Sequence, residues 1–192
     1  MLEYNEDTHV HKYSGITIPS VTEVLSNVGI GDYSHVNQHI LEKAMAWGSA
    51  FHKITELDDL GTLDQFEWDR QQEPMLNEWR RFKEEHDVQL IDIEKPLYSK
   101  KGFCGKPDRI CLVDGRGAIP DIKTGALDIR KMELQINGGY KILAEENYKQ
   151  SFTGCIFHIT PDKKYRFIWC KDESAESTFK SALNIALWKR RK

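Results

Sequence analysis

The most informative stretch of the sequence covers residues 105–125 and reads GKPDRICLVDGRGAIPDIKTG. It contains two apolar segments on either side of Asp-Gly-Arg-Gly, a combination that predicts two successive β-strands joined by a tight turn. We expect the strands to cover about 102–113 and 118–123, and each to end on an aspartate, Asp108 or Asp121. Two carboxylates from neighbouring strands are therefore expected to lie close together.

Lys123 follows two residues after Asp121, and strand alternation places both on one face of the sheet while Ile122 points into the opposite layer. Mg²⁺ prefers hard oxygen ligands and keeps several waters, so one or two carboxylates suffice to hold it. The ion neutralises phosphate charge and makes a bound water a better nucleophile. A nearby lysine can orient or deprotonate that water, or stabilise developing negative charge. The pattern predicts a magnesium site that acts on a phosphodiester.

The Asp-x-Lys pattern is a weak signal by itself, because most copies of it are exposed strand ends. Asp162, Lys163 and Lys164 form a second copy in this chain, within a predicted surface turn. The copy at Asp121 differs because a Gly-x-x-Asp motif precedes it and Gly125 follows it in a loop. This context favours a functional site at the first copy.

His52 lies on a long helix predicted over about 34–60, which we expect to stop near Gly61. Its apolar stripe consists of Trp47, Phe51 and Ile54. The neighbouring stripe consists of Gly48, His52 and Glu56. A lone helix histidine is more often structural or exposed than a ligand. Because the apolar stripe should dock this helix on the sheet, we expect His52 to point across to the aspartates.

Two glutamates are additional candidates near the predicted site. Glu56 lies one helical turn beyond His52 and is a candidate to support it from behind without touching the metal. Glu94 lies in a predicted strand just before Pro96, and we interpret it as an edge or network residue.

The remaining periodicities predict one α/β domain with a central mixed sheet flanked by helices. Its expected elements are a hairpin over about 8–19 turning at Ser14-Gly15, a helix capped by Ser20, a helix over about 69–85, a strand over about 89–98, helical structure over about 130–147, strands over about 151–160 and 165–170 around a turn at Pro161, and a helix over about 174–188. We divide residues 1–192 into an N-terminal part (1–87), a catalytic sheet and helix (88–147) and a C-terminal part (148–192).

The composition is that of an ordinary globular protein, with 40% hydrophobic and 30% charged residues and a formal net charge of −3. The acidic start lacks an export signal and no apolar run approaches membrane-spanning length, so we expect a cytoplasmic protein without a membrane partner. Nucleic-acid binding would require a local basic surface. Basic clusters occur at Lys100-Lys101 and at 189–192, and either is equally typical of a solvated surface.

In their order along the chain, these residues resemble the motifs of RecB-type nucleases of the PD-(D/E)XK superfamily. The motifs are Gly48-x-x-x-His52, Gly105-x-x-Asp108, Asp121-x-Lys123, and Gln135 with Tyr140. The opening, His9-x-x-x-Tyr13 followed by IPSVTEVL at 18–25, is similar to the start of phage and prophage exonuclease-like proteins of that group. The resemblance covers about residues 8–140.

The resemblance implies a restriction-endonuclease-like core and a Mg²⁺- or Mn²⁺-dependent deoxyribonuclease. It implies that His52, Asp108, Asp121 and the Ile122 carbonyl hold the metal, with Lys123 as the catalytic lysine. It also implies a role in DNA recombination, repair or phage DNA processing in a bacterial or phage-infected cell. A recombinase or helicase partner would be a separate protein, because this chain is too short to contain a motor.

The helix after the metal motif departs from the family pattern. The resemblance implies that Gln135 and Tyr140 lie near the DNA and the active site, but family members separate these residues by four positions and this chain by five. On a regular helix the two side chains would diverge by well over a quarter turn. A local bulge at Gly138-Gly139 would restore the alignment; otherwise only one residue is equivalent, and Tyr140 belongs to the core.

The four cysteines, Cys104, Cys111, Cys155 and Cys170, are too widely spaced for a CxxC pair. Some relatives carry an iron–sulfur cluster, but no cysteine here precedes His52, so we expect no such cluster. Reduced thiols in the core are the favoured interpretation. Two alternatives to a nuclease remain: a catalytically inactive nucleic-acid-binding module of the same fold, and a structural zinc protein that uses the cysteines.

Overall fold

The computed structural model describes residues 2–5, 10–13, 15–31, 37–162 and 164–190. Within them the strands are β1 (Leu2–Asn5), β2 (Val10–Tyr13), β3 (Ile16–Ile18), β4 (Gln89–Ile93), β5 (Leu97–Ser99), β6 (Phe103–Gly105), β7 (Arg109–Val113), β8 (Arg116–Lys123), β9 (Thr153–His158) and β10 (Arg166–Trp169). The α-helices are α1 (Val21–Asn27), α2 (Gln38–Asp59), α3 (Glu73–Glu85), α4 (Ile129–Glu133), α5 (Lys141–Tyr148) and α6 (Ala175–Lys189). A π-helical segment, Leu134–Tyr140, joins α4 to α5.

The centre of the molecule is a five-stranded sheet in the order β10-β9-β8-β7-β4. Strands β8 and β9 run parallel and the other neighbours antiparallel, so the sheet is mixed. The connection from β8 to β9 contains α4, the π-helical segment and α5, as a parallel crossover requires. The predicted fold class, an α/β domain with a mixed sheet flanked by helices, is confirmed and is consistent with a restriction-endonuclease-like core.

Two apolar cores cover the two faces of the sheet. One lies under α2 and α3, and its largest members are Phe51, Trp79, Phe82 and Phe157. The other lies under α1, the π-helical segment, α5 and α6, and its members include Ile119, Ile136, Leu143, Ile156 and Phe179. Because helices bury both faces, β8 is almost entirely apolar until it reaches Asp121.

The N-terminal predictions are confirmed within the described residues. β2 and β3 form an antiparallel hairpin, with Gly15 at a positive φ of 80° in the turn; Ser14 and His9 lie outside the described residues. Ser20 caps α1, and Glu23 bonds back to the Ser20 backbone as a capping box. β1, which pairs with β2, was missed by the sequence analysis.

The sequence predicts that the two long helices start at about 34 and about 69. The predicted start of α2 at about 34 falls outside the described residues; the described helix begins at Gln38, where Asn37 accepts hydrogen bonds from the backbone of His39 and Ile40. α2 ends at Asp59, and Gly61 follows with a φ of 68°, as predicted. The helix predicted from about 69 begins as a short 3₁₀ turn, Arg70–Gln72, and becomes α-helical only at Glu73.

Two predicted strands are each divided in the structure. The strand predicted over 89–98 becomes β4 and β5, because Glu94 adopts a positive φ of 48° two residues before Pro96. The strand predicted over 102–113 becomes β6 and β7, with Pro107 between them. β5 and β6 form a separate hairpin, so Asp108 lies immediately before β7 and not at the end of a strand.

The π-helical segment explains how the side chains of Gln135 and Tyr140 lie close together although the two residues are five positions apart. A π-helical turn is wider than an α-helical turn, so residues separated by five positions lie about one turn from each other. In an α-helix, residues one turn from each other are separated by fewer positions. Gln135 Nε2 accordingly lies 3.5 Å from the Tyr140 hydroxyl. The bulge considered from the sequence is therefore present, and it spans Gly138-Gly139.

Alanine in place of Gly139 is expected to destabilise the protein, although alanine is the better helix former by about 1 kcal/mol. A Cβ at this position would lie 2.5 Å from Val21 Cγ1 and 3.1 Å from the Phe179 ring. Overpacking of this kind costs about 1–3 kcal/mol, so we expect a net loss of about 1–2 kcal/mol in the free energy of unfolding. Urea denaturation measures it.

The matched control for this prediction is Gly125→Ala, because an added methyl group there meets no atom within 4 Å. That variant should be neutral or slightly stabilising. A Gly139→Ala protein as stable as wild type would show that the π-helical segment is not closely packed against α1 and α6.

Candidate active site

α2 brings His52 to the end of β8. The adjacent side chains Phe51 and Ile54 are buried in the core beneath the sheet, which fixes the rotation of the helix. His52 Nε2 lies 2.8 Å from the carbonyl oxygen of Ile122. Since a carbonyl only accepts hydrogen bonds, Nε2 carries the proton in this arrangement. His52 thus reaches the main chain between Asp121 and Lys123, as the docking argument predicted.

Asp108 also contacts the main chain of Ile122. β7 is antiparallel to β8, so the residue that precedes β7 lies beside the end of β8. Asp108 Oδ2 accepts a hydrogen bond of 2.7 Å from the Ile122 amide, and its Oδ1 lies 3.4 Å from His52 Nδ1. The two predicted aspartates therefore converge, although Asp108 does so from a strand start.

Lys123 lies at the same point. Its Nζ is 2.5 Å from Asp121 Oδ2 and donates a hydrogen bond of 3.2 Å to the Ile122 carbonyl. Asp121 and Lys123 share a face, and the Ile122 side chain is fully buried in the opposite core. The Ile122 carbonyl, implied as a metal ligand, thus accepts hydrogen bonds from both His52 and Lys123.

Gly48 lies where α2 passes the loop that follows Lys123. A Cβ at Gly48 would lie 3.4 Å from the Thr124 hydroxyl, at the short limit of ordinary van der Waals contact. Beyond Thr124, His158 Nε2 lies 2.8 Å from the Gly125 carbonyl. The loop is therefore held between α2 and the end of β9.

Glu94 belongs to the site, contrary to its interpretation as an edge residue. His52, Glu94 and Asp108 each place one possible ligand atom within 4.8 Å of the others, and they are the group of three metal-binding side chains among the described residues. Glu94 Oε1 lies 3.8 Å from His52 Nδ1, and Lys106 Nζ lies 3.1 Å from Oε2. The β4–β7 register places Glu94 opposite Asp108. Knowledge of this strand pairing would have identified Glu94 as a site residue.

Gln135 and Tyr140 reach the site from the helical side. Gln135 Nε2 lies 3.4 Å from Asp121 Oδ1 and 3.5 Å from the Tyr140 hydroxyl, and both side chains are buried. A Cβ at Gly105 would lie 2.9 Å from the Tyr140 ring. Tyr140 is therefore both a member of the apolar core and a neighbour of the site, so the two sequence alternatives for it are not exclusive.

Glu56 is directed elsewhere. Its carboxylate pairs with Lys53 at 2.8 Å, as an i,i+3 pair on the same helix. The side chain that supports His52 is instead Thr55, whose hydroxyl donates to the His52 carbonyl at 2.9 Å. In the described structure, the Glu56 carboxylate bonds to Lys53 and does not support His52 as expected.

Charges in the site shift the pKa values of its members in opposite directions. Burial lowers the pKa of His52, but the charge and hydrogen bond of Asp108, together with Glu94, outweigh burial and raise that pKa to about 10. Burial raises the pKa of Asp108, but the charges of His52 and Lys123 and the Ile122 amide outweigh it and bring that pKa well below its ordinary value. A cationic His52 therefore balances the carboxylates.

Asp121 is the carboxylate whose charge is least stabilised. Burial, with the negative charge of Asp108, raises the pKa of Asp121 above its ordinary value, and Lys123 opposes this. Asp121 Oδ2 is buried, and its partner is Lys123 Nζ at 2.5 Å. A buried carboxylate is costly unless its charge is balanced. A divalent cation would add positive charge beside Asp108 and Asp121, and two or three carboxylates with one imidazole are a donor set that Mg²⁺ or Mn²⁺ accepts.

The cysteines lie in the core, away from this cluster. All four are free and buried. Burial raises the pKa of the Cys104, Cys111 and Cys170 thiols to about 12, which keeps them neutral. Within the part of the chain that the structure describes, the one group of three potential metal-binding side chains contains no cysteine.

Comparisons of the sequence with protein-family models and with curated proteins find no match. Solved structures similar to this one include SSO0001, with 15% identical residues and a TM-score of 0.36 over 59% of this chain and 56% of that one. They also include a protein from Eubacterium rectale, proposed to be an exonuclease, with 14% identity and a TM-score of 0.43 over 74% of this chain and 68% of that one. The match to SSO0001 thus spans little more than half of that protein.

The basic clusters are partly engaged elsewhere. Lys101 pairs with Glu146 at 2.7 Å, and Lys189 Nζ donates to the Asn27 carbonyl at 2.7 Å; residues 191–192 lie outside the described residues. Lys106 and Lys123 are the lysines that contact the candidate ligands. None of the helices in the described ranges has the length and apolar character needed to cross a bilayer.

Proposed function

We propose that this chain is a metal-dependent nuclease that hydrolyses phosphodiester bonds in DNA. The observation that carries the proposal is the convergence of His52, Asp108 and Lys123 on one peptide unit, that of Ile122. His52 and Lys123 bond its carbonyl at 2.8 and 3.2 Å, and Asp108 bonds its amide at 2.7 Å. Residues far apart in sequence thus place a carboxylate, an imidazole and an ammonium around one point.

His52, Asp108, Asp121 and the Ile122 carbonyl would hold the metal, and Glu94 is close enough to His52 and Asp108 to join them. A bound Mg²⁺ or Mn²⁺ supplies charge neutralisation at the phosphate and makes water more acidic. The burial of both Asp108 and Asp121 supports this assignment, since a cation between two buried carboxylates offsets their mutual repulsion.

Lys123 is the residue that acts on the attacking water or on the charge that develops at phosphorus. The Lys123 side chain is 28% exposed, whereas the Asp121 side chain beside it is 2% exposed, so Lys123 is the more accessible of the two. It can orient water and donate hydrogen bonds to a phosphate oxygen. Gln135 holds Asp121 in place through its amide, and the sequence resemblance implies that Gln135 and Tyr140 lie near the DNA.

The substrate is DNA, and the mode of attack is exonucleolytic. The support is the sequence resemblance to the RecB-type and phage exonuclease-like branch of the PD-(D/E)XK superfamily. That resemblance also implies a role in DNA recombination, repair or phage DNA processing, and any recombinase or helicase partner would be a separate protein.

Lys123→Ala is expected to reduce cleavage by about 10²–10³-fold, because it removes a group that acts in the transition state. The assay uses end-labelled linear and closed circular DNA, single- and double-stranded, with Mg²⁺, Mn²⁺ or EDTA. The matched control is Lys164→Ala, which alters the second Asp-x-Lys copy; Lys164 is exposed and should be dispensable.

Cleavage that requires metal and Lys123 and spares circles would establish an exonuclease. A Lys123→Ala protein that cleaves like wild type would overturn the assignment of the site. Metal-independent DNA binding without cleavage of any substrate, in folded wild-type protein, would identify the chain as an inactive nucleic-acid-binding module.

A further inference from the structure

Arg109 is a fully buried cation directly behind the candidate metal site. Its guanidinium, 0% exposed, lies between β7, α2 and α3. Nε lies 2.7 Å from Asp59 Oδ2, and the Asp59 side chain is also 0% exposed. Asp59 additionally accepts hydrogen bonds from Trp79 Nε1 and Lys83 Nζ. The proposed hydrolysis uses none of these groups.

The guanidinium contacts the segments that carry each member of the His52, Glu94 and Asp108 cluster. Nη1 donates a hydrogen bond of 2.6 Å to the main-chain oxygen of Asp108, and that oxygen also accepts from the Glu94 amide at 3.1 Å. Nη1 is 3.8 Å from the Glu94 carboxylate. A single planar cation therefore fixes both the start of β7 and the residue that follows β4.

The third connection runs through Thr55 to α2. Arg109 Nη2 donates to the Thr55 hydroxyl at 3.2 Å, and that hydroxyl donates to the His52 carbonyl at 2.9 Å. Thr55 is fully buried, so water does not replace these bonds. The chain of contacts from Asp59 through Arg109 and Thr55 ends on the backbone of His52.

Global stability alone is a poor reason for such an arrangement. A buried ion pair loses the hydration of two charges, and well-packed apolar residues often serve the fold equally well. Metal ligands, in contrast, need support from behind, because small changes in their positions lower affinity. The contacts of Arg109 end on the segments of all three clustered ligand candidates.

We propose that Arg109, neutralised by Asp59 and linked to α2 by Thr55, is a positioning residue that sets the spacing of His52, Glu94 and Asp108 for a divalent cation. The inference rests on the proposed function in so far as it takes that cluster to bind metal. Arg109 acts only through the ligand residues and does not touch substrate.

The test measures Mn²⁺ binding directly, by electron paramagnetic resonance of free Mn²⁺ in titrations without DNA. Thr55→Val keeps the volume of the side chain but removes the hydroxyl, and we expect it to raise the Mn²⁺ dissociation constant about tenfold. Thr55→Ser keeps the hydroxyl and should stay within about twofold of wild type. The double variant Arg109→Met with Asp59→Asn should remain folded and bind Mn²⁺ at least about tenfold more weakly.

Val113→Ala is the control for a purely structural loss. Val113 is fully buried at the far end of β7, about 13 Å along the strand from Arg109. It should lower the urea midpoint without changing Mn²⁺ affinity. If Thr55→Val and the double variant are folded and bind Mn²⁺ like wild type, or if wild type binds no Mn²⁺, the inference is wrong.

The two proposals fail separately. A wild-type protein that binds Mn²⁺ but cleaves no DNA would contradict the nuclease assignment. The Mn²⁺ titrations of the Thr55 and Arg109 variants would still test the role of Arg109. Wild type that cleaves DNA, with Mn²⁺ affinities equal in all variants, would contradict the role of Arg109 alone.

Discussion

Asparagine in place of Asp108 is expected to lower the rate of metal-dependent DNA cleavage by at least about 10³-fold. Asparagine has nearly the same shape, and its amide oxygen can still accept the hydrogen bond from the Ile122 amide. It loses the negative charge that faces His52 at 3.4 Å and would face the metal. Single-turnover rates at several Mg²⁺ concentrations measure the loss and show whether additional metal restores activity.

Asp108→Asn should lower the stability of the fold while leaving the protein folded, because the charge of Asp108 is stabilised by His52 and Lys123 and the substitution removes that interaction. Asp108 raises the pKa of Asp121 through its charge, so its neutralisation leaves Asp121 easier to ionise. The control is Asp162→Asn in the exposed second Asp-x-Lys copy, which should cleave like wild type. A folded Asp108→Asn enzyme with activity within tenfold of wild type would exclude Asp108 as a metal ligand.

The second large effect concerns stability. Arg109→Met is expected to lower the free energy of unfolding by about 3 kcal/mol, because it leaves the buried Asp59 without its fully buried cation. The value lies at the low end of the range for broken buried pairs, since Lys83 still contacts Asp59. Urea denaturation followed by circular dichroism measures it.

Removing the charge of Asp59 as well should restore most of the free energy of unfolding that Arg109→Met loses. In Arg109→Met with Asp59→Asn, asparagine still accepts from Trp79 Nε1, and position 59 no longer carries a buried charge. We expect a double variant more stable than the single one. If the single substitution costs less than about 1 kcal/mol, water reaches the pair and it is not buried as the structure shows it.

Much of the architecture follows from local patterns in the sequence. The capping box at Ser20 and Glu23, the end of α2 before Gly61 and the turn at Asp114-Gly115 depend on nearby residues, and each was predicted. Such signals act within a few positions, so they do not require knowledge of strand order. They also oriented α2 correctly, which brought His52 to β8.

The parts that failed depend on contacts between distant segments. Glu94 is in the site because β4 pairs with β7 across an intervening hairpin, and its register places Glu94 opposite Asp108. Nothing local distinguishes Glu94 from an ordinary glutamate in a strand. Arg109 was missed for the same reason: its burial depends on Asp59, which is 50 residues away.

Split strands form another class of error. Proline cannot donate the backbone hydrogen bond that strand pairing requires, so Pro107 is a possible strand break. The residues around it nevertheless follow the pattern of one continuous strand. Only the hairpin formed by β5 and β6 shows that the run divides there. The position of Asp108 before β7 follows from that division.

The π-helical segment has a consequence for how sequence patterns are matched to structures. A helix that widens locally accommodates one additional residue without rotating the helices on either side of it. Gln135 and Tyr140 meet because the wider turn brings residues five positions apart close together. Sequence patterns that demand a fixed interval between a glutamine and a tyrosine would overlook chains in which a single added codon has been taken up in this way.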